Sequence, residues 1–322
     1  MKYYNSIIDC IGHTPLIRLN NIVPKDGPLV LVKAEFLNPG GSVKDRIGPI
    51  MLSHAEKKGD LKEGGTIVEP TSGNTGVGLA MCSILKGYKM IFTMPDKMSK
   101  EKELLLGAFG GEVIRTRTDV APEDPESYYS IADKIVEETL NAYCPNQYYN
   151  QQNPIAHYKT TGPEIWEDCS EITHFICGMG TGGTITGVGR YLKEQNPEIK
   201  IIGVDPEGSI YYDEFYNIKG EGARVYKTEG IGEDFIPETI DLKIIDEVIR
   251  VSDKDAYLTA RALARKEAML VGSSSGSAAY AAIELAKKLT NKDVIVVLLP
   301  DTGRNYLSKI FNDDWMVQNN LL

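Results

Sequence analysis

Residues 174–189 read HFICGMGTGGTITGVG, a short apolar run followed by a loop with closely spaced glycines. This order predicts a buried β-strand, a tight turn and then an α-helix. Glycines at such a turn let backbone N–H groups approach a phosphate at the positive end of the helix. Gly178, Gly180 and Gly183, with Asp205 after the next strand, also satisfy the dinucleotide-binding pattern. The stretch therefore predicts an α/β fold with a phosphate site, and it leaves open whose phosphate is bound.

Short β-branched runs alternate with amphipathic segments along most of the chain. Strands are predicted at 29–36, 66–70, 90–95, 112–116, 174–177, 199–205, 247–251 and 293–300, and helices at 44–58, 74–86, 99–109, 126–140, 181–195, 254–270 and 277–289. This alternation is typical of α/β proteins with mainly parallel sheets. The runs fall into two batches, which predicts two open, twisted sheets flanked by helices, with a crossing near 147–154.

The bulk composition argues against several classes of function. A net charge of −10 without a basic tract disfavours a nucleic-acid partner. The longest apolar run, 294–299, is too short to cross a membrane, and the N-terminus lacks the apolar core of a signal peptide. Scattered cysteines and histidines without ligand spacing predict reduced thiols, no metal site and a cytoplasmic location.

Two further motifs precede the glycine loop. In NPGGSVKDR (38–46), Lys44 follows a Gly-Gly turn; it is either a solvated first-turn residue or an amine presented for Schiff-base chemistry. The stretch EPTSGNTGVG (69–78) carries four polar side chains in one turn: Thr71, Ser72, Asn74 and Thr75. One such side chain is enough to cap a helix, so the set predicts a neutral socket for an anion such as a carboxylate.

The stretch VGSSSGSAA (271–279) joins two predicted helices. It is either a flexible connection or a helix N-terminus that turns a serine hydroxyl toward a cofactor. The threonines beside the glycine loop, Thr181, Thr184 and Thr186, suit a terminal phosphate better than a bridging pyrophosphate. An NAD-dependent oxidoreductase is therefore the less favoured class.

Taken together, the motifs resemble the cysteine synthase/cystathionine β-synthase family of pyridoxal 5'-phosphate (PLP) enzymes. The matching stretches are IGHTPLIRL, NPGGSVKDR, EPTSGNTGVGLA, GTGGTITG and LPDTGRNY, in the family's order along nearly the whole chain. GVDPEGS (203–209), EGIGEDFIP (229–237) and RNYLSKIFNDDW (304–315) look most like the catalytic core of cystathionine β-synthases. The resemblance implies PLP fold type II, the tryptophan synthase β-like fold.

The resemblance also implies two domains and a set of site residues. A smaller, mobile domain, 1–12 with 40–150, is expected to bind the substrate carboxylate, and a larger domain, 13–39 with 151–322, the PLP phosphate. Lys44 is expected to hold PLP as a Schiff base. The other implied cofactor contacts are Asn74, Gly180, Thr181, Gly182, Gly183, Thr184 and Ser274. The implied substrate contacts are Thr71, Ser72, Asn74, Thr75, Gln147, Gly230, Glu233 and Asp234.

The acids on the second-substrate side, Asp213, Glu233 and Asp234, are either contacts for the incoming thiol amino acid or solvated loop charges. Glu233 also stands where animal cystathionine β-synthases carry a tyrosine, which leaves the second substrate open.

The implied reaction is β-replacement on serine, O-acetylserine or cysteine through an aminoacrylate intermediate. Cystathionine formation with homocysteine as acceptor is the first expectation, and cysteine synthesis from O-acetylserine and sulfide is the second. The third is consumption of cysteine with release of hydrogen sulfide and formation of lanthionine or serine. We expect amino-acid and thiol substrates, a homodimer, no haem and no regulatory domain.

Overall fold

The protein forms two compact units, each with its own sheet. A computed structural model describes residues 1, 3–71, 73–121, 123–220 and 222–322. By their internal contacts, these residues divide into 1–11 with 38–152 (unit 1), and 12–37 with 153–322 (unit 2).

The strands and helices follow one another along most of the described chain. The strands are β1 (Leu16–Arg18), β2 (Leu29–Ala34), β3 (Thr66–Pro70), β4 (Lys89–Pro95), β5 (Glu112–Thr116), β6 (Ala142–Tyr143), β7 (His174–Gly178), β8 (Lys200–Pro206), β9 (Glu247–Val251) and β10 (Val294–Leu299). The helices are α1 (Ile47–Lys58), α2 (Asn74–Lys86), α3 (Lys100–Ala108), α4 (Tyr128–Glu138), α5 (Gln152–Lys159), α6 (Thr161–Asp168), α7 (Gly183–Gln195), α8 (Tyr211–Phe215), α9 (Asp253–Glu267), α10 (Ser273–Ala286) and α11 (Asp313–Gln318).

Unit 1 contains a parallel sheet with the strand order β5-β4-β3-β6. Every residue of β3 is buried, as expected for a strand with both faces covered by helices. Helices α1 and α2 end at Gly59 and Gly87, whose positive φ angles of 80° and 74° form the left-handed helix stop that favours glycine. The core contains Ile67, Leu79 and Phe92. The carboxyl end of β3 leads directly into the polar turn before α2.

Unit 2 contains a sheet with the strand order β1-β2-β10-β7-β8-β9. All neighbours in it are parallel except β1 and β2, which pair antiparallel at the edge. The β-branched run of β10 lies between β2 and β7, with Val297 fully buried. Helix α10 packs against this sheet, and α9 packs against α10, through small and apolar side chains such as Ala279 and Ala256. The carboxyl end of β7 leads into the glycine loop.

The α/β prediction with two mainly parallel, helix-flanked sheets is confirmed. The serine-rich stretch near 271–279 is not a flexible connection, because residues 273–277 form the buried first turn of α10. None of the helices formed by the described residues is long and apolar enough to span a bilayer.

Candidate active site

Lys44 lies in unit 1 on a 3₁₀ turn, Val43–Arg46, directly before α1. The Ser42 hydroxyl caps this turn by accepting the Lys44 amide N–H at 3.2 Å. The preceding glycine pair is also held, because the Gly40 N–H donates to the Asp45 carboxylate at 2.6 Å. The segment that carries the half-buried Lys44 is therefore fixed by its own hydrogen bonds.

Two glycines bring the Lys44 segment and α1 into backbone contact with α2. A Cβ atom at Gly78 would lie 2.6 Å from the carbonyl oxygen of Lys44, and one at Gly48 would lie 2.5 Å from the carbonyl oxygen of Gly78. Real Cβ atoms do not approach so closely, so both positions require glycine. Gly78 lies about one helical turn after the start of α2 at Asn74. Lys44 is thereby placed beside the N-terminal turns of α2.

The polar turn before α2 divides its side chains between two tasks. The Thr71 hydroxyl accepts the N–H groups of Gly73 and Gly76 at 3.0 and 3.4 Å, which is the capping role. The Thr75 hydroxyl instead donates to the side-chain oxygen of Gln147 at 2.6 Å. The structure therefore brings Thr75 and Gln147 together, although 72 positions separate them. Ser72 lies outside the described residues.

A buried carboxylate, Glu69, lies under this turn at the end of β3. It accepts the backbone N–H groups of Asn146 and Gln147 at 2.7 and 3.0 Å. Burial raises the pKa of Glu69 to about 7, while these two hydrogen bonds, the Cys144 thiol and the charge of Lys44 oppose the rise.

The glycine loop of unit 2 runs from β7 to α7. Gly182 has a φ of 80°, in the region that favours glycine. A Cβ atom at Gly180 would lie 2.7 Å from the carbonyl oxygen of Gly230, and one at Gly183 would lie 2.0 Å from the Asn153 side-chain oxygen. The first turn of α7 contains no acidic residue. Its N-terminal amides therefore form a positive helix end that accepts an anion.

The threonine hydroxyls of this loop are oriented by α5 and α6. The Asn153 side chain donates to the Thr181 hydroxyl at 3.0 Å. The Thr184 hydroxyl lies 3.2 Å from Nε2 of His157, whose Nδ1 lies 2.9 Å from the Thr161 hydroxyl. Asn153 and His157 are both fully buried. They are supporting residues that sequence reasoning missed, and no local pattern marks them.

Ser274 lies in the first turn of α10 and is 2% exposed. Its neighbours Ser273, Ser275 and Ser277 are engaged with backbone groups. Within the described part of the chain, the Ser274 hydroxyl has no such partner. It lies 3.8 Å from the position of a Cβ atom at Gly230. Gly230 and Ser274 therefore face one another.

The loop 229–234 is held by its backbone. The N–H groups of Glu229, Gly232 and Glu233 donate to the Ser273 hydroxyl, the Met179 carbonyl and the Ser209 hydroxyl at 3.0, 2.6 and 3.1 Å. The Glu233 carbonyl accepts the Ile210 N–H at 3.1 Å. The Glu233 side chain is half-buried, whereas Asp234 is exposed.

The two remaining acids of this region have structural partners. Asp213 forms an ion pair of 2.6 Å with Arg250. Asp205 is fully buried and accepts the backbone N–H of Tyr212 at 2.9 Å, so it holds the start of α8 instead of facing a ribose. Within the described ranges, no group of three His, Cys, Asp or Glu side chains is arranged to hold a metal ion.

A family model described as "Pyridoxal-phosphate dependent enzyme" matches residues 7–301. The chain belongs to this family. Its members depend on PLP, so the NAD-dependent oxidoreductase considered above is excluded.

Relatives of this PLP-dependent enzyme include cystathionine beta-synthases and cysteine synthases. The cystathionine beta-synthase of Dictyostelium discoideum is 47% identical over 98% of this chain and 63% of its own length. The chain therefore spans less than two thirds of that relative. The probable cysteine synthase of Bacillus subtilis (strain 168) is 45% identical over 96% of this chain and 97% of its own length.

Two solved structures of enzymes with related names are also similar to this chain. The O-acetylserine dependent cystathionine beta-synthase from Helicobacter pylori is 39% identical with a TM-score of 0.87, over 96% of this chain and 99% of that one. A hydrogen sulfide-producing enzyme from Fusobacterium nucleatum is 39% identical with a TM-score of 0.88, over 95% of this chain and 100% of that one.

The residues present fit the chemistry of PLP. The loop 180–184 offers backbone amides and hydroxyls to a phosphate dianion, and no carboxylate in the first turn of α7 repels it. Lys44 offers an amine for the aldehyde of the cofactor. The unengaged hydroxyl of Ser274 suits a pyridine nitrogen.

Proposed function

We propose that the protein catalyses PLP-dependent β-replacement on serine, O-acetylserine or cysteine, with homocysteine as the preferred thiol acceptor. The observation that carries this proposal is the backbone contact between Lys44 and Gly78. It places a lysine beside the N-terminal turns of the helix that carries Asn74 and Thr75. A base and a carboxylate socket on neighbouring elements are what removal of the Cα proton from an amino acid requires.

Each residue of the proposed site is assigned a role in binding or in proton transfer. When bound, PLP supplies the electron sink for the charge left at the substrate Cα. Lys44 holds the cofactor and moves the Cα proton through its Nζ atom. Asn74 contacts the cofactor ring, and the loop 180–184 holds the phosphate. Ser274 accepts or donates one hydrogen bond at the pyridine nitrogen.

The substrate side of the proposed site lies on three segments: the turn 71–75, Gln147 and the loop 229–234. Thr71, Ser72, Thr75 and Gln147 bind the donor carboxylate, which needs neutral hydrogen-bond donors at a helix start. Gly230, Glu233 and Asp234 face the acceptor. The half-buried Glu233 is the group that we assign to the acceptor amino group, because it is less solvated than the exposed Asp234.

Homocysteine is the first acceptor because the Dictyostelium discoideum cystathionine beta-synthase is 47% identical over 98% of this chain. Cysteine synthesis with sulfide is the second candidate, favoured by the match to a probable cysteine synthase along 97% of that protein's length. Release of hydrogen sulfide from cysteine, with lanthionine or serine as the second product, is the third, after the Fusobacterium relative. We also propose a cytoplasmic location, since no cysteine of the described residues forms a disulfide. The homodimer is proposed on the resemblance to the family alone.

The test combines three donors with three acceptors. Holoenzyme is given serine, O-acetylserine or cysteine with homocysteine, sulfide or cysteine, and thioether and sulfide products are quantified for each pair. Cystathionine is expected as the fastest-formed product. Lys44→Ala should lower turnover by about 10²–10⁴-fold. Lys86→Ala, which removes an exposed lysine paired with Glu56 in the same unit, is the matched control. Full activity of Lys44→Ala would refute the proposed function.

A further inference from the structure

Glu69 is a fully buried carboxylate to which the proposed chemistry assigns no task. It ends β3 next to the polar turn, and both of its oxygens are used. Oε2 accepts the Asn146 N–H at 2.7 Å, and Oε1 accepts the Gln147 N–H at 3.0 Å. The Cys144 thiol lies 3.8 Å from Oε2. One side chain therefore fixes two consecutive backbone amides of a loop 77 and 78 positions away.

The side chain of Gln147 is fixed from the same side. Its oxygen accepts the Thr75 hydroxyl at 2.6 Å, and its nitrogen donates to the Pro70 carbonyl at 3.3 Å. Pro70 directly precedes the polar turn that follows Glu69, and Thr75 is the last polar residue of that turn. The backbone of Gln147 depends on the Glu69 carboxylate, and its side chain depends on the turn next to it.

We propose that Glu69 is a positioning residue that holds Gln147 in the orientation that binds the donor carboxylate. The proposal rests on the proposed function, in which Gln147 contacts that carboxylate. An ionised carboxylate offers an acceptor to each of two adjacent N–H groups. A protonated acid or a glutamine has a donor on one of its two polar atoms, so one of the N–H groups then meets another donor.

In its buried surroundings, the Glu69 carboxyl changes from the protonated to the ionised form near neutral pH. Burial raises its pKa to about 7. The charged and titratable groups that act on it are Lys44, which lowers its pKa, and the neighbouring Cys144 and Tyr143. At pH values above about 7 the anion accepts both N–H groups, and at lower pH the protonated form releases one of them.

The test is steady-state kinetics of the holoenzyme with separate donor and acceptor titrations. At pH 8, Glu69→Gln should raise the donor KM about tenfold, because one charge-assisted hydrogen bond is lost. The acceptor KM and kcat should change by less than about threefold. In the wild type, the donor KM should rise as pH falls through about 7. This inflection should be absent from Glu69→Gln and from Gln147→Ala.

Glu56→Gln is the matched control, because Glu56 is a carboxylate of the same unit that accepts hydrogen bonds from Lys86 and Tyr88. It should leave the donor KM unchanged. If Glu69→Gln does not fold, the wild-type and Gln147→Ala pH profiles decide the question alone. An inflection that persists in Gln147→Ala overturns the proposal.

The two proposals fail in different ways. Wild-type turnover with an unchanged donor KM in Glu69→Gln refutes the positioning role and leaves the proposed function intact. A wild-type holoenzyme that turns over no donor refutes the proposed function, and the positioning role falls with it. Equal losses in kcat and in both KM values for Glu69→Gln indicate general disruption and likewise overturn the positioning role.

Discussion

Substitution of Gly183 by alanine tests how the glycine loop binds its phosphate. The added Cβ atom would lie 2.0 Å from the side-chain oxygen of Asn153, about 1.4 Å short of ordinary van der Waals contact. Asn153 is fully buried and must move to make room. A shift of that size breaks the 3.0 Å hydrogen bond from Asn153 to the Thr181 hydroxyl. The substitution therefore displaces one of the groups assigned to the phosphate.

The free energy that Gly183→Ala costs is the sum of two contributions. Overpacking of a close-packed interior costs about 1–3 kcal/mol. Loss of one buried hydrogen bond costs about 1 kcal/mol more. We expect the loop of the variant to shift away from Asn153 when no phosphate is bound, so that most of this free energy is lost from PLP binding. At about 1.4 kcal/mol per factor of ten, PLP should bind roughly 30–1,000-fold more weakly to Gly183→Ala.

The assay is titration of the resolved apoenzyme with PLP, followed by visible absorbance and fluorescence. Asn153→Ala removes the three side-chain atoms that the new Cβ atom would meet. The double variant Gly183→Ala/Asn153→Ala should therefore bind PLP more tightly than Gly183→Ala alone. Wild-type affinity in Gly183→Ala, or strictly additive losses in the double variant, would show that steric displacement of Asn153 is not the mechanism.

Two further substitutions probe unit 2. Burial raises the pKa of Asp205 from 3.8 to about 6, so the folded state holds this proton more tightly than the unfolded state. The protonated Asp205 stabilises the folded state fully below about pH 4, and this stabilisation is lost as pH rises through 6. The asparagine of Asp205→Asn does not titrate, so the variant's free energy of unfolding should rise relative to that of the wild type by up to about 3 kcal/mol across that range. If the free energies of unfolding of the wild type and of Asp205→Asn change in parallel from pH 4 to 7, this expectation is wrong. Ser274→Ala should lower kcat about tenfold at unchanged thermal stability, because its hydroxyl has no protein partner within the described residues. Ser277→Ala is the matched control. If Ser274→Ala and Ser277→Ala are equally active, Ser274 has no role in the site.

Elements with a strong local signal were predicted well from the sequence. The strand at 66–70 and the helix at 74–86 have the predicted bounds, because continuous apolar character and glycine stops define them locally. The edge strand β1 and the two-residue β6 were missed. Their pairing depends on partners distant in sequence and on only a few residues. The serine-rich start of α10 read as a loop, since its helical state depends on tertiary burial.

The same division applies to the candidate site. The sequence marks Lys44, the polar turn and the glycine loop, because each is a compact motif. It does not mark Asn153 or His157, whose contacts with the loop span 28 and 27 positions. Glu69 stands inside a quoted motif, yet its link to Gln147 became visible only in three dimensions.

The backbone anchoring of the loop 229–234 has a consequence for engineering. Three of its fixed points are main-chain amides bound to Met179, Ser209 and Ser273, and these three hydrogen bonds do not involve the side chains at positions 233 and 234. Those two positions can therefore be varied as a small library while these three backbone anchors stay in place. Among members that keep the thermal stability of the wild type, changes in thiol selectivity would report the side chains at positions 233 and 234.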